Sequence, residues 1–263
     1  MDSIWSRDAV LPRFPALEGD MHTDVLIIGG GIAGVLCAYY LQQAGVDCLL
    51  VEAHTIGSGV TLGTTAKITA QHGLEGAELL HALGQDRARL YLQANLQAVE
   101  EYRRLCADLD CGFEDADSYV YSRDDRERLD RELAALDRLK VPAVFERELE
   151  LPFSVAGAVK LHRQAQVHPL NFLAESPGLN IREHTFVRAL HSHTALTDRG
   201  SVTAEQVVIA THFPFPDRHG GYFLRLYQDR SYVLALRHAP RLTGMYRDAD
   251  PRGLSFRSAG PYL

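Results

Sequence analysis

Residues 25–34 read Val-Leu-Ile-Ile-Gly-Gly-Gly-Ile-Ala-Gly, and a second apolar run, Cys48-Leu-Leu-Val51, ends in Glu52. No other stretch constrains the fold as tightly. The first apolar run reads as a buried strand, and Gly29, Gly31 and Gly34 stand in G-x-G-x-x-G spacing directly behind it. Each glycine has a physical task. Gly29 permits the tight strand-to-helix turn, Gly31 lets the backbone approach a pyrophosphate, and Gly34 lets the helix pack close to the strand. The helix opening at Ile32 and Ala33 offers N–H groups with no intrahelical acceptor and a positive dipole end, which suit phosphate. Glu52, followed by Ala53, closes the second strand where a carboxylate can accept both hydroxyls of an adenosine ribose. The same carboxylate would repel a 2′-phosphate, which disfavours NADP. Strand, glycines, helix and acid in this order predict a βαβ dinucleotide-binding unit over residues 23–52. The motif alone does not separate FAD from NAD.

The chain has 263 residues, 46% of them hydrophobic, enough for a sizeable core in one or two domains. A net charge of −7, with no basic cluster among aromatics, argues against a nucleic-acid surface. No apolar run approaches the roughly 20 residues of a membrane span. Residues 1–22 carry early acids and prolines and read as a lead-in, not as a signal peptide. Cys37 and Cys48 fall in the apolar helix and strand of the first unit, where a buried free thiol is expected. Cys106 and Cys111 have neither C-x-x-C spacing nor nearby histidines, so no zinc or iron–sulfur site is expected there. A reducing, cytoplasmic setting is the expectation.

Residues 53–76 are rich in Gly and Thr and lack periodicity. A polar loop of that length after a buried strand lies where open α/β sheets bind ligands. Beyond it the pattern predicts helices over 77–109 and 125–139. Strands are predicted over 119–121, 141–145, 155–161, 207–211 and 232–236. A further helix is expected over 164–174, begun or bent at Pro169, and a hairpin over 181–190 and 194–197. His191 and His193 form H-x-H at that hairpin with no third ligand, so no metal site is expected.

The opening unit, the loop GVTLGTTAKITAQHG, the strand VVIATHFPF and the segments AQVHPLNFL and RSYVLAL together resemble the FAD-dependent oxidoreductases of the D-amino-acid oxidase and glycine oxidase superfamily. The similarity is greatest to a bacterial branch that often carries a C-terminal Rieske domain. No C-x-H…C-x-x-H pair is present here, so that domain is expected to be absent. The resemblance implies an α/β fold: a Rossmann-like FAD-binding domain interleaved with a mixed α+β substrate domain. The first would span about 1–84, 157–217 and 246–263, and the second 85–156 and 218–245.

By the same resemblance residues 59–72 run along the flavin, with Thr64, Thr65 and Ala66 at phosphate or ribitol. Ala210 and Thr211 match an Ala-Thr-Gly strand end beside the cofactor, with His212 in place of the glycine. Lys67 is a candidate cation at the flavin N1–C2=O edge, set against a solvated surface lysine. His72, with Gln71, is a candidate hydrogen-bonding group for ring or substrate, set against an ordinary loop histidine. Tyr222, Arg225, Tyr227, Arg230 and Tyr232 cluster in the expected substrate domain, where an arginine could pair with a carboxylate.

The leading expectation is an FAD-dependent enzyme that oxidises a C–N bond of an amine or amino acid by hydride transfer to flavin N5. Its electron acceptor, oxygen or a redox partner, stays open. Members of the family close the FAD site with a glycine-rich segment past the equivalent of Leu263. A truncated or degenerate relative that holds FAD weakly, turns over no amine and self-associates through an unpaired edge is therefore the first alternative. An NAD-linked oxidoreductase is the second, disfavoured by the long loop after Glu52.

Overall fold

The computed structural model describes residues 3–175, 178–216 and 221–263. In chain order the strands begin with β1 (Met21–Ile28), β2 (Cys48–Val51), β3 (Lys67–Ile68), β4 (Glu114–Ser122), β5 (Ala143–Glu146) and β6 (Gly157–Gln166). They continue with β7 (Ile181–Arg182), β8 (Val187–His191), β9 (Thr194–Thr197), β10 (Ser201–Ile209), β11 (Met245–Asp248) and β12 (Ser255–Phe256). The helices are α1 (Ile32–Gln43), α2 (Val60–Gly63), α3 (Gly76–Cys106), α4 (Arg126–Arg138), α5 (Pro169–Ala174) and α6 (Tyr222–Arg225). The chain divides into two compact units, Met1–Thr64 with His168–Val233, and Thr65–Val167 with Leu234–Leu263.

Unit 1 is the α/β half. Its sheet has the order β7-β2-β1-β10-β9-β8. β1 pairs in parallel with β2 and with β10, and β2 in parallel with β7. The edge β10-β9-β8 is an antiparallel meander; the hairpin expected over 181–190 and 194–197 forms only from Val187, because Ile181 and Arg182 pair in parallel with β2 as β7. A parallel sheet covered on both faces calls for continuous apolar strands, and Val-Leu-Ile-Ile and Cys-Leu-Leu-Val supply them. Leu26, Ile27, Leu49 and Leu50 are fully buried, each burial contributing about 1.5–3 kcal/mol. The predicted βαβ opening is therefore present as β1, α1 and β2.

Unit 2 is built on the sheet β12-β11-β4-β6-β3, with β5 also paired to β6. Long α3, kinked at Gly84 (φ +74), and α4 are the two amphipathic helices read from the sequence. Asp125 caps α4 by accepting the Arg128 N–H at 2.8 Å. The compact units change hands at 64/65, 167/168 and 233/234. The functional division expected from the sequence changes at 84/85, 156/157, 217/218 and 245/246, the third of which lies outside the described residues. β6 explains part of the difference, because it pairs along its length with β4 and β5 and so groups with unit 2.

Three further local expectations are corrected. Residues 164–166 finish β6 and are not helical; the helix starts at Pro169, where the ring has no N–H to lose and the preceding residue is kept out of helical geometry. Residues 232–236 form no strand. Tyr232, Val233 and Leu234 lie exposed, and only Leu236 pairs, exchanging two backbone bonds with Leu263 at 2.9 and 3.0 Å. β propensity without a packed partner does not make a strand. The strand expected over 207–211 ends at Ile209, with Val207 and Val208 half-buried and Ile209 exposed, because β9 covers β10 only at residues 201–203.

Candidate cofactor site

The glycine motif in unit 1 is built by backbone contact. Gly29 turns out of β1 at φ +113, with its N–H on the Val51 carbonyl at 2.9 Å. A Cβ there would stand 2.6 Å from the Ala210 carbonyl oxygen. A Cβ on Gly34 would stand 1.9 Å from the Gly29 carbonyl oxygen, so α1 could not seat on the end of β1. Ala210 completes the junction, its N–H on the Ile28 carbonyl at 2.8 Å. The structure therefore brings Gly29, Gly34 and Ala210 together. His212 takes φ +66, the left-handed conformation a glycine would favour.

Gly31 is the N-cap of α1 and has no side chain to fill the space ahead of the helix. The first-turn N–H groups at Ile32, Ala33 and Gly34 have no acceptor within the helix. One of them, on Ile32, is taken by Thr61 Oγ1 at 3.2 Å. Glu52 is half-buried at the end of β2. Its Oε2 accepts the Gly30 N–H at 2.6 Å and its Oε1 the His54 N–H at 2.9 Å. Each carboxylate oxygen has a further lone pair, so ribose hydroxyls remain acceptable donors.

Two residues that escaped the sequence reading hold this loop. Buried Glu183 accepts the Ile56 N–H at 2.7 Å and the Phe14 N–H at 3.1 Å. Thr61 is the second. It lay inside a loop already suspected of function, but a lone Glu183 beyond Pro169 gave no signal. Ala53 follows Glu52, and the Thr64 carbonyl accepts the Trp5 indole N–H at 2.8 Å. Thr211 Oγ1 donates to the Phe213 carbonyl at 2.8 Å.

In unit 2 the loop continues through Thr65, Ala66 and Lys67. Arg257 Nη1 donates to the Thr65 carbonyl at 2.7 Å and to the Ala66 carbonyl at 2.9 Å. Lys67 is not a freely solvated lysine. Its Nζ donates to the Tyr246 carbonyl at 2.9 Å and to Ser255 Oγ at 2.5 Å. Burial first, then the nearby Arg257 and Arg247 cations, push its ammonium down to about 7. Gln71 is buried, bonded through its side chain to the Val159 carbonyl and to Ser118. His72 is exposed, at the rim of a cleft with Gln71, Tyr91, Leu92, Glu132 and Leu136. Glu132 caps α3, accepting the Gly76 and Ala77 N–H groups at 2.8 and 3.0 Å, and burial holds its carboxyl above the usual range. Tyr222, Arg225, Tyr227 and Tyr232 lie on or beyond α6 without forming a buried cluster; Tyr227 and Tyr232 are among the most exposed side chains described.

The model of the family described as "FAD dependent oxidoreductase", DAO, matches residues 24–261. The chain belongs to this family. FAD is the family's cofactor, and the donor set of unit 1 fits its ADP half: free helix N–H groups, a Cβ-free approach at Gly31 and a carboxylate at the end of β2. YhfW of Bacillus subtilis (strain 168), described as a Rieske 2Fe-2S iron-sulfur protein, is 32% identical over 97% of this chain and 53% of its own length. The 4-methylaminobutanoate oxidase (formaldehyde-forming) of Paenarthrobacter nicotinovorans is 29% identical over 80% of this chain and 27% of its own length. The chain thus spans about half or less of these relatives. The crystal structure of glycine oxidase from Geobacillus kaustophilus shares the fold at a TM-score of 0.66 with 22% identity, covering 92% of this chain and 69% of that one. Among the described residues no helix is long and apolar enough to cross a membrane, and no cluster of metal-ligating side chains occurs.

Proposed function

We propose that this member of the FAD-dependent oxidoreductase family oxidises a C–N bond of a small amine or amino acid. The observation that carries the reading is the junction of Gly29, Gly34 and Ala210, with Glu52 fixed on the Gly30 N–H. Names of relatives that act on amines support the substrate class: 4-methylaminobutanoate oxidase, gamma-glutamylputrescine oxidoreductase and glycine oxidase.

On this reading the first-turn N–H groups of α1 hold the pyrophosphate and Glu52 takes the adenosine ribose. Thr64, Thr65 and Ala66 accompany the ribitol, with Ala53, Ala210 and Thr211 packed beside the cofactor. FAD, when bound, supplies the hydride acceptor, so no nucleophile or base on the chain has to do the hard step. Lys67 contributes a positive charge for the N1–C2=O edge of the ring. Its low proton affinity is suited to that role. It is near half-protonation at neutral pH, and negative charge developing nearby draws the proton back onto it. His72, exposed, is the group that can hydrogen-bond an arriving substrate.

The test is to purify the chain and record its absorbance. Bound oxidised flavin gives bands near roughly 370 and 450 nm. Flavin titration should then show saturable FAD binding, and a panel of amines and amino acids should bleach the bands anaerobically. Saturable NADH binding with no flavin uptake would overturn the reading. Lys67→Met should lower the flavin reduction potential and weaken sulfite adduct formation, since both place negative charge on the ring.

A further inference from the structure

Ala66 is buried and stands at φ +51, in the left-handed region that any residue carrying a Cβ resists. Such a conformation persists only where its surroundings over-determine it. The Ala66 carbonyl accepts from the Val167 N–H at 3.3 Å and from Arg257 Nη1 at 2.9 Å. The same Nη1 donates to the Thr65 carbonyl at 2.7 Å, so one guanidinium nitrogen, with two hydrogens, grips two successive carbonyls. Lys67 comes next in the chain, at the start of β3, paired with Gln166. Its ammonium reaches Tyr246 and Ser255, and Ser255 lies two residues before Arg257. The turn before the lysine and the lysine's ammonium are thus both held from residues 255–257 of unit 2, the ammonium also by Tyr246.

We propose that Arg257 is a positioning residue that holds the left-handed turn at Ala66 and thereby delivers Lys67 to Tyr246 and Ser255. The consequence for catalysis rests on the reading of Lys67 given above; the placement itself does not. The charges around the lysine ammonium are few. Arg257, which burial pushes down only to about 10, stays a cation at neutral pH, and Arg247 on β11 is the second. Glu114 on β4 is an acid whose charge acts on Arg257, bonded to Gln166 at 2.8 Å and ion-paired with Arg241 at 3.7 Å. Released from its buried partners, Lys67 would regain the affinity for protons of an ordinary lysine.

Acetic anhydride labelling followed by peptide mass spectrometry reads this directly, because only neutral amine reacts and the chain has just three lysines, Lys67, Lys140 and Lys160. The midpoint of the pH profile for Lys67 is expected near 7 in the wild type. Arg257→Met should move it upward far enough to slow labelling at about pH 8 by tenfold or more, since each pH unit is a factor of ten in neutral amine. Arg257→Lys, which keeps charge and donors, should stay near the wild type. Arg247→Met removes a cation without touching the turn and should move the midpoint much less. Adding Ala66→Gly to Arg257→Met removes the strain that the clamp opposes, and should bring the midpoint most of the way back. A wild-type midpoint in Arg257→Met overturns the proposal, as does no recovery on adding Ala66→Gly, or equal shifts from Arg247→Met and Arg257→Met. If Arg257→Met does not fold, the Arg257→Lys and doubly substituted chains still carry the test. An unchanged flavin potential in Lys67→Met would sink the catalytic reading alone and leave the placement standing.

Discussion

The two units present their candidate groups in opposite ways. In unit 1 the groups are main chain: the N–H donors at the head of α1, and an approach that depends on the missing Cβ atoms of Gly29 and Gly34. In unit 2 they are side chains that reach main-chain carbonyls across long stretches of sequence, Lys67 that of Tyr246 and Arg257 that of Thr65. A site made of backbone must write itself into the sequence as glycine at fixed spacing. A site made of distant side chains leaves no spacing to read. The same contrast predicts how each unit fails. Unit 1 should be intolerant of added atoms, and unit 2 should respond to changes of charge.

The largest effect is expected at Gly34. A methyl group there meets the Gly29 carbonyl oxygen at 1.9 Å, and main chain cannot swing aside as a flexible side chain can. Gly34→Ala should cost about 3 kcal/mol or more, with flavin uptake lost alongside. Gly63, in the same unit, has open space around its Cβ position, so Gly63→Ala should stay within about 0.5 kcal/mol. Urea denaturation of the two variants tests the comparison directly. Equal midpoints would mean that the junction relaxes and that unit 1 is not set by its backbone.

Glu52 comes next. Glu52→Ala strips acceptors from the Gly30 and His54 N–H groups and removes the ribose carboxylate. FAD affinity should fall by about 1.5–3 kcal/mol, roughly 10- to 150-fold in dissociation constant. Glu183→Ala should act differently. That buried carboxylate joins the lead-in to the loop after β2, so the loss should appear in stability at about 1–3 kcal/mol. Unchanged flavin affinity in Glu52→Ala would remove the ribose role.

These cases show how far the sequence could be read. The βαβ opening and both long helices were legible because buried parallel strands are continuously apolar and amphipathic helices repeat every turn. The strands β3, β11 and β12, of two to four residues, are too short to show a period of two. The strand expected over 232–236 failed for the converse reason: Tyr-Val-Leu has the composition of a strand but finds no neighbour to pack on. Gly29, Gly34, Glu52 and Ala210 were found by spacing or resemblance. Thr61, Glu183 and Arg257 were missed because a threonine, an acid and an arginine are ordinary until a backbone amide or carbonyl arrives beside them.

Thr61 should give a smaller effect of the same kind as Glu52. Its Oγ1 accepts the Ile32 N–H in the manner of an N-cap, though from a different element. Thr61→Val keeps the shape and removes the acceptor, and should cost about 1 kcal/mol in urea denaturation. FAD should recover part of that loss, because phosphate oxygens can take up the freed N–H. If FAD stabilises the variant no more than the wild type, Ile32 does not face the ligand.

The last effect is a slope with pH, not a single step in stability, and it belongs to unit 2. Lys67 is pushed from an ordinary value of 10.5 down to about 7 in the folded chain. Below about pH 7 the lysine is protonated whether folded or unfolded, and the folded state bears the full cost of a buried cation. Between about 7 and 10.5 the unfolded chain binds more protons than the folded one, so stability from this group rises with pH. Above 10.5 both states are neutral and the cost is gone. Lys67→Met removes the group without removing much packing. The variant should therefore be favoured relative to the wild type at about pH 6, and its advantage should shrink steadily towards about pH 10. Titrating groups that do not couple to Lys67 are common to both chains and cancel in the difference. A difference that stays flat across this range would show that the ammonium is solvated, and unit 2 would lose the charge sensitivity that sets it apart from unit 1.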